Sequence, residues 1–158
     1  MKVATGILPL VLFGVIAGRP SATAPVPYPE GYRNWAHLKS TVISPTHKNF
    51  ATTGGFQHFY ANPEAVIGLR TRDFPKGAII VVDWLEMTDN NGAYIEGPRR
   101  QIDVMVRDSV RFASTGGWGF QRFVKDTKTE AAAPTPEQCF ACHNSLGKEG
   151  LVVGAYRP

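Results

Sequence analysis

The chain has 158 residues, which is the length of one domain. Without Lys2 and Arg19 in its N-terminal leader, fifteen basic residues face thirteen acidic ones, a charge of about +2. This charge is too small and too dispersed for a nucleic-acid-binding protein.

A secretory signal peptide is predicted over residues 1–24. A basic residue is followed by an apolar run over residues 7–17 that ends near small residues. Residues 22–24 have the A-x-A form, but Pro25 directly after them disfavours cleavage, so the cut site stays open. An uncleaved anchor is the alternative, although the run is short for a membrane span. We expect export, no stable span after cleavage, and a single domain over residues 25–158.

Three elements are predicted in the first half of the exported chain. Apolar residues recur at roughly helical spacing over residues 32–41, which predicts a first helix. The aromatic run over residues 56–61 predicts a strand. Asn62 and Pro63 then predict a capped short helix that ends near Leu69.

The second half is predicted to be mostly β-structure. The β-branched run over residues 78–87 predicts the strongest strand, and Asn91-Gly92 predicts a hairpin turn after it. Further strands are predicted at residues 93–96, at residues 101–107 after a break at Gly97-Pro98, and in an aromatic segment that includes Phe112 and residues 118–123. The fold class is therefore α+β: a small antiparallel sheet with a few helices, the last of which lies near the C-terminus.

The C-terminal helix carries the attachment signature of c-type haem. Thr135 and Gln138 form the capping-box pattern, so the helix should begin at Thr135. On it Cys139, Cys142 and His143 stand at i, i+3 and i+4 and share one face. C-x-x-C-H predicts one covalent haem c, with both sulfurs bonded to the ring and His143 ligating the iron.

Other uses of a cysteine pair fit the sequence less well. A thioredoxin-like redox pair expects an early βαβ unit, and a zinc site expects a second ligand pair. Cys139 and Cys142 are the only cysteines, and a disulfide between them would close a very small loop. Because c-type haem is attached outside the bacterial cytoplasm, covalent haem predicts a periplasmic protein.

The common small cytochromes do not match the rest of the chain. Ordinary electron carriers take a methionine downstream of the haem motif as sixth ligand, whereas Met87 and Met105 both precede His143 and none follows. The helical cytochromes c′ carry the motif near the C-terminus, but the strand content argues against a four-helix bundle.

Six segments, taken together, resemble a known family. They are Tyr32-Arg33-x-Trp35, Gly54-Gly55-Phe56-x-His58-x-Tyr60-Ala61-Asn62-Pro63, Phe74-x-x-Gly77, Val106-x-Asp108-Ser109-x-Arg111-Phe112-Ala113, Gly116-Gly117-Trp118-Gly119-Phe120 and Cys139 to His143. On these residues the chain resembles the cytochrome P-460 and cytochrome c′-beta family. The resemblance implies a β-rich homodimer with one five-coordinate haem c per subunit and an open distal side.

Two positions separate the chemistries within that family. Its hydroxylamine-oxidising members carry a haem-crosslinking lysine five residues after the Gly of Phe-x-x-Gly, and this position is Val82 here. They also use a distal glutamate five residues before the Asp-Ser pair, and this position is Asp103. The resemblance therefore implies that the crosslink is absent, which is closer to the c′-beta type, while a proton acceptor remains. A solvated residue on the polar side of a strand is the alternative interpretation of Asp103.

If Val82 faces the haem, strand alternation predicts that Ile80 and Trp84 lie on the same side, and Phe56 or Phe59 completes the distal pocket. We expect the pocket to favour NO and CO, for NO detoxification or sensing. The alternatives are a hydroxylamine or NO oxidoreductase with Asp103 as base, served by a redox-partner cytochrome, and a plain electron-transfer cytochrome c.

Overall fold

Five strands form one antiparallel sheet in the order in which they occur along the chain, β1-β2-β3-β4-β5. The computed structural model describes residues 25–146 and residue 152. The strands are β1 (Ala36–Ile43), β2 (Gly55–Ala61), β3 (Ile79–Asn90), β4 (Ala93–Arg107) and β5 (Trp118–Val124). The predicted signal peptide and the end of the predicted domain lie outside the described residues.

Three α-helices in the described part of the chain accompany the sheet and confirm the α+β class. They are α1 (Phe50–Thr53), α2 (Pro63–Thr71) and α3 (Pro136–Ser145). The Asn62 side chain caps α2 by accepting from the Ala65 N–H, and the same oxygen accepts from the Ile79 N–H, which ties the helix to β3. The predicted short helix after Asn62 is thus confirmed.

The predicted helix over residues 32–41 is wrong. Only Tyr32–Asn34 form a short 3-10 turn, and the chain then enters β1, which pairs with β2. A bulge between His37 and Lys39 shifts the register of this strand. The bulge interrupts the two-residue alternation, and the remaining apolar spacing resembles that of a helix.

The hairpin between β3 and β4 confirms the predicted turn. Asn91 and Gly92 both have left-handed φ values, 54° and 86°, as the favoured two-residue hairpin turn requires. The predicted break at Gly97-Pro98 is wrong, because β4 continues through these two residues. The pairing of β4 with β3 shifts in register there, opposite Leu85. Phe112 is not in a strand either: it precedes a 3-10 turn and is fully buried.

Buried side chains cover both faces of the sheet. The first cluster lies on the face covered by α2 and α3 and contains Ala61, Leu69, Phe74, Ile80, Met105, Trp118, Phe120 and Val152. The second lies on the opposite face, under the N-terminal segment and Phe112, and contains Val26, Tyr32, Val81, Ile102, Val104 and Phe123. Within the described part of the chain no helix is long and apolar enough to cross a membrane.

Candidate haem site

One row of side chains crosses all five strands on the face that α3 covers. Antiparallel register aligns Lys39 with Phe59, Phe59 with Val82, Val82 with Asp103, and Asp103 with Arg122. Because side chains alternate between the two faces of a sheet, residues so aligned point to the same side. All five residues of this transverse row line one cavity.

Helix α3 supplies the opposite wall of the cavity. The helix begins with a capping box in which the Thr135 N–H donates to Gln138 Oε1 at 2.8 Å and the Gln138 N–H donates to Thr135 Oγ1. This fixed start sets the direction of the next turn, on which Cys139, Cys142 and His143 all line the cavity. The helix packs against β5, where the Phe120 ring lies 5.3 Å from the imidazole of His143.

The cavity has a volume of about 530 Å³ and walls of mixed character. Its apolar side chains include Phe59, Ile80 and Val82 in the strands, and Leu146 beyond the helix. The volume lies within the range of about 300–1,000 Å³ that is usual for cofactor and small-molecule sites, which are mostly apolar with a few polar groups. The structure therefore brings the two thiols and the imidazole to a cofactor-sized space.

Asp103 lines the cavity as one half of an ion pair. Arg122 donates from Nε to Oδ1 at 2.6 Å and from Nη2 to Oδ2 at 2.8 Å, a two-bond fork that occupies both carboxylate oxygens. Gln101 adds a longer bond to Oδ2 at 3.2 Å. Burial by itself would lower the pKa of Arg122, but the hydrogen bonds and the attraction of Asp103 raise it. Arg122 therefore stays charged and paired.

The thiol of Cys139 does not have the electrostatics of a redox nucleophile. Burial, followed by the nearby Asp103 carboxylate, raises the pKa of this thiol to about 11. Reactive cysteines of disulfide oxidoreductases have the opposite shift, because the thiolate is the nucleophile. The structure thus disfavours the thioredoxin-like interpretation of the C-x-x-C motif.

Comparison with protein families identifies the group to which the chain belongs. The family model for cytochrome P460 matches residues 29–153, which is most of the chain. The chain belongs to the cytochrome P460 family. A search among curated proteins returned no match. Membership makes this chain a cytochrome with haem as its cofactor, and the match does not separate the c′-beta branch from the rest of the family.

The described residues fit the haem that cytochrome P460 membership implies. Both sulfurs and the imidazole lie on one helix face against a largely apolar cavity, as a ring tethered along one edge and ligated from one side requires. Cys139 and Cys142 would hold the ring and His143 would ligate the iron. The bound group would supply an iron centre for ligand binding or electron exchange.

The two candidate phenylalanines of the distal pocket lie on different faces of β2. Phe59 lines the cavity, whereas Phe56 stacks against His58 with ring centroids 6.0 Å apart and an interplanar angle of 16°. Since residues 56 and 59 are an odd number of positions apart, strand alternation separates them. Phe56 is therefore not part of the cavity wall.

Several polar residues that the sequence did not predict also line the cavity, among them Lys39, Gln57 and Arg122. Arg122 was detectable, because alternation in the segment around Phe120 places it on the same side as that ring. Lys39 was not, because the apolar spacing of its bulged strand resembles that of a helix. The wall that carries Val82 is consequently apolar at its centre and charged at both ends.

Proposed function

We propose that this chain is a periplasmic cytochrome of the c′-beta type that carries one covalent haem c. In this proposal the five-coordinate iron binds NO and CO, for NO detoxification or sensing. The observation that carries the proposal is the position of Val82 at the centre of the transverse row, between Phe59 and Asp103. Valine has no nitrogen with which to form a crosslink to the haem.

The attachment part of the proposal rests on helix α3. Cys139 and Cys142 are the two cysteines of the chain, and each lines the same cavity as His143. One C-x-x-C-H motif provides for one haem. Attachment of haem c outside the cytoplasm supports the periplasmic location.

The apolar centre of the wall supports gas binding. Phe59, Ile80 and Val82 offer no side-chain hydrogen-bond donor to a ligand, which suits the weakly polar NO and CO. Bound dioxygen, by contrast, gains from a donor. A ligand that lies against this apolar centre, and not against Lys39, Gln57 or Trp84, is therefore expected to be NO or CO and not dioxygen.

The placement of Asp103 in the cavity favours a second candidate function, the oxidation of hydroxylamine or NO with this carboxylate as base. A base must be within reach of the proton that it accepts, and Asp103 lines the right space. However, both of its oxygens accept hydrogen bonds from Arg122. The ion pair weighs against this function, because the two-bond fork directs the carboxylate at the guanidinium of Arg122 and not at a substrate.

Met105 also lines the cavity and favours a third candidate, an electron carrier with a methionine sixth ligand. The residue is 9 % exposed and packs in the cluster that contains Trp118 and Phe120. Because Met105 already packs in the core, it is poorly placed to act as a ligand. We therefore rank the electron carrier below gas binding.

An optical spectrum of the ferrous protein tests the proposal. We expect high-spin bands without the strong red shift of the Soret band that a crosslinked haem produces. Addition of CO should then give a low-spin complex. A red-shifted ferrous Soret band would refute the c′-beta assignment, and sharp low-spin bands before addition of CO would support the electron carrier.

The ligand assignment is tested with His143→Ala. The variant should keep haem attached through a denaturing gel and lose the native proximal coordination in its spectrum. His47→Ala is the matched control, since this exposed loop residue does not line the cavity. A native spectrum in His143→Ala would refute the assignment. The proposed homodimer is tested separately, by light scattering on the purified protein.

A further inference from the structure

Lys39 brings a positive charge to the edge of the cavity. It lies on the edge strand β1, lines the cavity, and holds its ammonium nitrogen 4.5 Å from the centroid of the Phe59 ring. Across residues 25–146 and at residue 152, no carboxylate lies within ion-pair distance of this nitrogen. A cation over an aromatic ring at an exposed site gains only about 0.5–1 kcal/mol and remains charged.

The charges of the cavity wall do not balance. Among the described residues, the side chains with a formal charge that line it are Lys39, Asp103 and Arg122. Arg122 already neutralises Asp103 through two hydrogen bonds. The charge of Lys39 is therefore not compensated by another side chain of the described wall. A ligand with a carboxylate is suited to compensate it.

Lys39 and the two thiols lie at opposite ends of the site. Helix α3, which carries Cys139 and Cys142, packs against β5, whereas Lys39 is on β1. Four strand spacings of about 4.8 Å separate β1 from β5, a distance of about 19 Å. Haem has its vinyl groups on one edge and its two propionate groups on the opposite edge. A ring tethered at α3 therefore has its carboxylates on the side that faces away from the thiols.

We propose that the ammonium group of Lys39 binds a propionate of the haem and fixes the edge of the ring that the cysteines do not hold. The inference rests on the proposed haem c site and adds a residue to it. A cation at this place stabilises the ionised propionate. It also favours the ferrous over the ferric state, because reduction adds a negative charge to the haem.

Redox titration of the holoprotein tests this inference with Lys39→Gln. The variant should lower the midpoint potential by the equivalent of about a tenfold change in the ferrous-to-ferric ratio, about 59 mV for one electron. The pH dependence of the potential that comes from the propionate should move to higher pH. Lys39→Arg should keep the wild-type values, since it retains the charge.

Lys48→Gln is the matched control, because it removes the same charge from an exposed lysine that does not line the cavity. Equal potentials in Lys39→Gln and Lys48→Gln would overturn the inference. A changed CO stretching frequency with an unchanged potential would also overturn it, since Lys39 would then face the iron-bound ligand. A wild-type protein without covalent haem, seen before any titration, would refute the proposed function and this inference with it.

Discussion

Asp83 on β3 and Asp103 on β4 are carboxylates on opposite faces of the sheet. They differ in how far the side chain is exposed to solvent. The Asp83 side chain is 0 % exposed and that of Asp103 is 27 % exposed. Both are paired with arginine, so the type of interaction is the same. What differs is the surroundings: Asp83 is closed in a packed core, whereas Asp103 faces a cavity. The ion pair of the closed site therefore belongs to the core, and that of the open site belongs to the wall of the candidate haem cavity.

The closed site satisfies its buried charge completely. Asp83 accepts hydrogen bonds from Tyr32 Oη at 2.8 Å, from Arg33 Nη2 at 2.7 Å and from Arg99 Nε at 2.6 Å. Burial alone would raise the pKa of Asp83, but the hydrogen bonds from Arg99, Tyr32 and Arg33 outweigh it and hold the pKa below its usual value. Several donors on one buried carboxylate are the condition under which a buried charge is tolerated.

The largest predicted effect comes from breaking the closed site. Asp83→Ala removes the acceptor of Tyr32 Oη and of Arg99 Nε and Nη2, and loss of one partner of a buried ion pair costs about 3–5 kcal/mol. We expect the free energy of unfolding, measured by denaturant titration, to fall by that amount. Asp126→Ala is the control, because it removes the other, exposed carboxylate that binds Arg99 and should cost about 1 kcal/mol or less. Equal losses in the free energy of unfolding for the two variants would show that Asp83 does not contribute more to stability than the exposed carboxylate.

The lowered pKa of Asp83 predicts how stability depends on pH. A carboxyl group whose folded-state pKa is depressed stabilises the protein above its unfolded pKa of about 3.9. This stabilisation is lost as the pH falls through the folded-state value. The free energy of unfolding should therefore drop below about pH 4 in the wild type, and less steeply in Asp83→Ala. Parallel curves for the two proteins between pH 5 and pH 3 would contradict this prediction.

Local signals in the sequence were enough to predict the elements that hold the haem motif. The capping box at Thr135, the capping Asn62 and the turn at Asn91-Gly92 each specify a backbone conformation through bonds within a few residues. The β-branched run of β3 similarly specifies a strand. These elements alone determine the α+β class and bring both thiols to one helix face.

Features that depend on contacts between distant strands were not predictable in the same way. The bulge in β1 breaks the alternation by which a strand is recognised in the sequence. For this reason neither β1 nor the position of Lys39 at the cavity was predicted. The partners of Asp83 come from residues 32, 33 and 99, and no local pattern links them. The pairing of Asp103 with Arg122 depends on the register between β4 and β5, which no local pattern in either strand specifies.

A smaller effect is predicted for breaking the open site. Arg122→Gln removes the fork on Asp103, and because both side chains keep about a quarter of their surface exposed, we expect a loss of about 1–2 kcal/mol. A double-mutant cycle with Asp103→Asn, followed by denaturant titration, should give a coupling energy of that size. Lys48→Gln controls for the change in net charge. A coupling energy near zero would mean that the pair is not formed in solution.

The smallest predicted effect comes from a comparison of Phe59 and Phe56, which lie on opposite faces of β2. Phe59→Leu changes the cavity wall beside Val82, whereas Phe56→Leu changes a ring that stacks on His58 on the other face. We expect Phe59→Leu to alter the CO affinity several-fold, because about 1 kcal/mol of contact corresponds to roughly a fivefold change in affinity. Phe56→Leu should leave the affinity unchanged and lower the stability by a comparable amount. If Phe56→Leu alone altered CO binding, the ligand would lie on the face of Asp83, and the assignment of one face to structure and the other to ligand binding would be reversed.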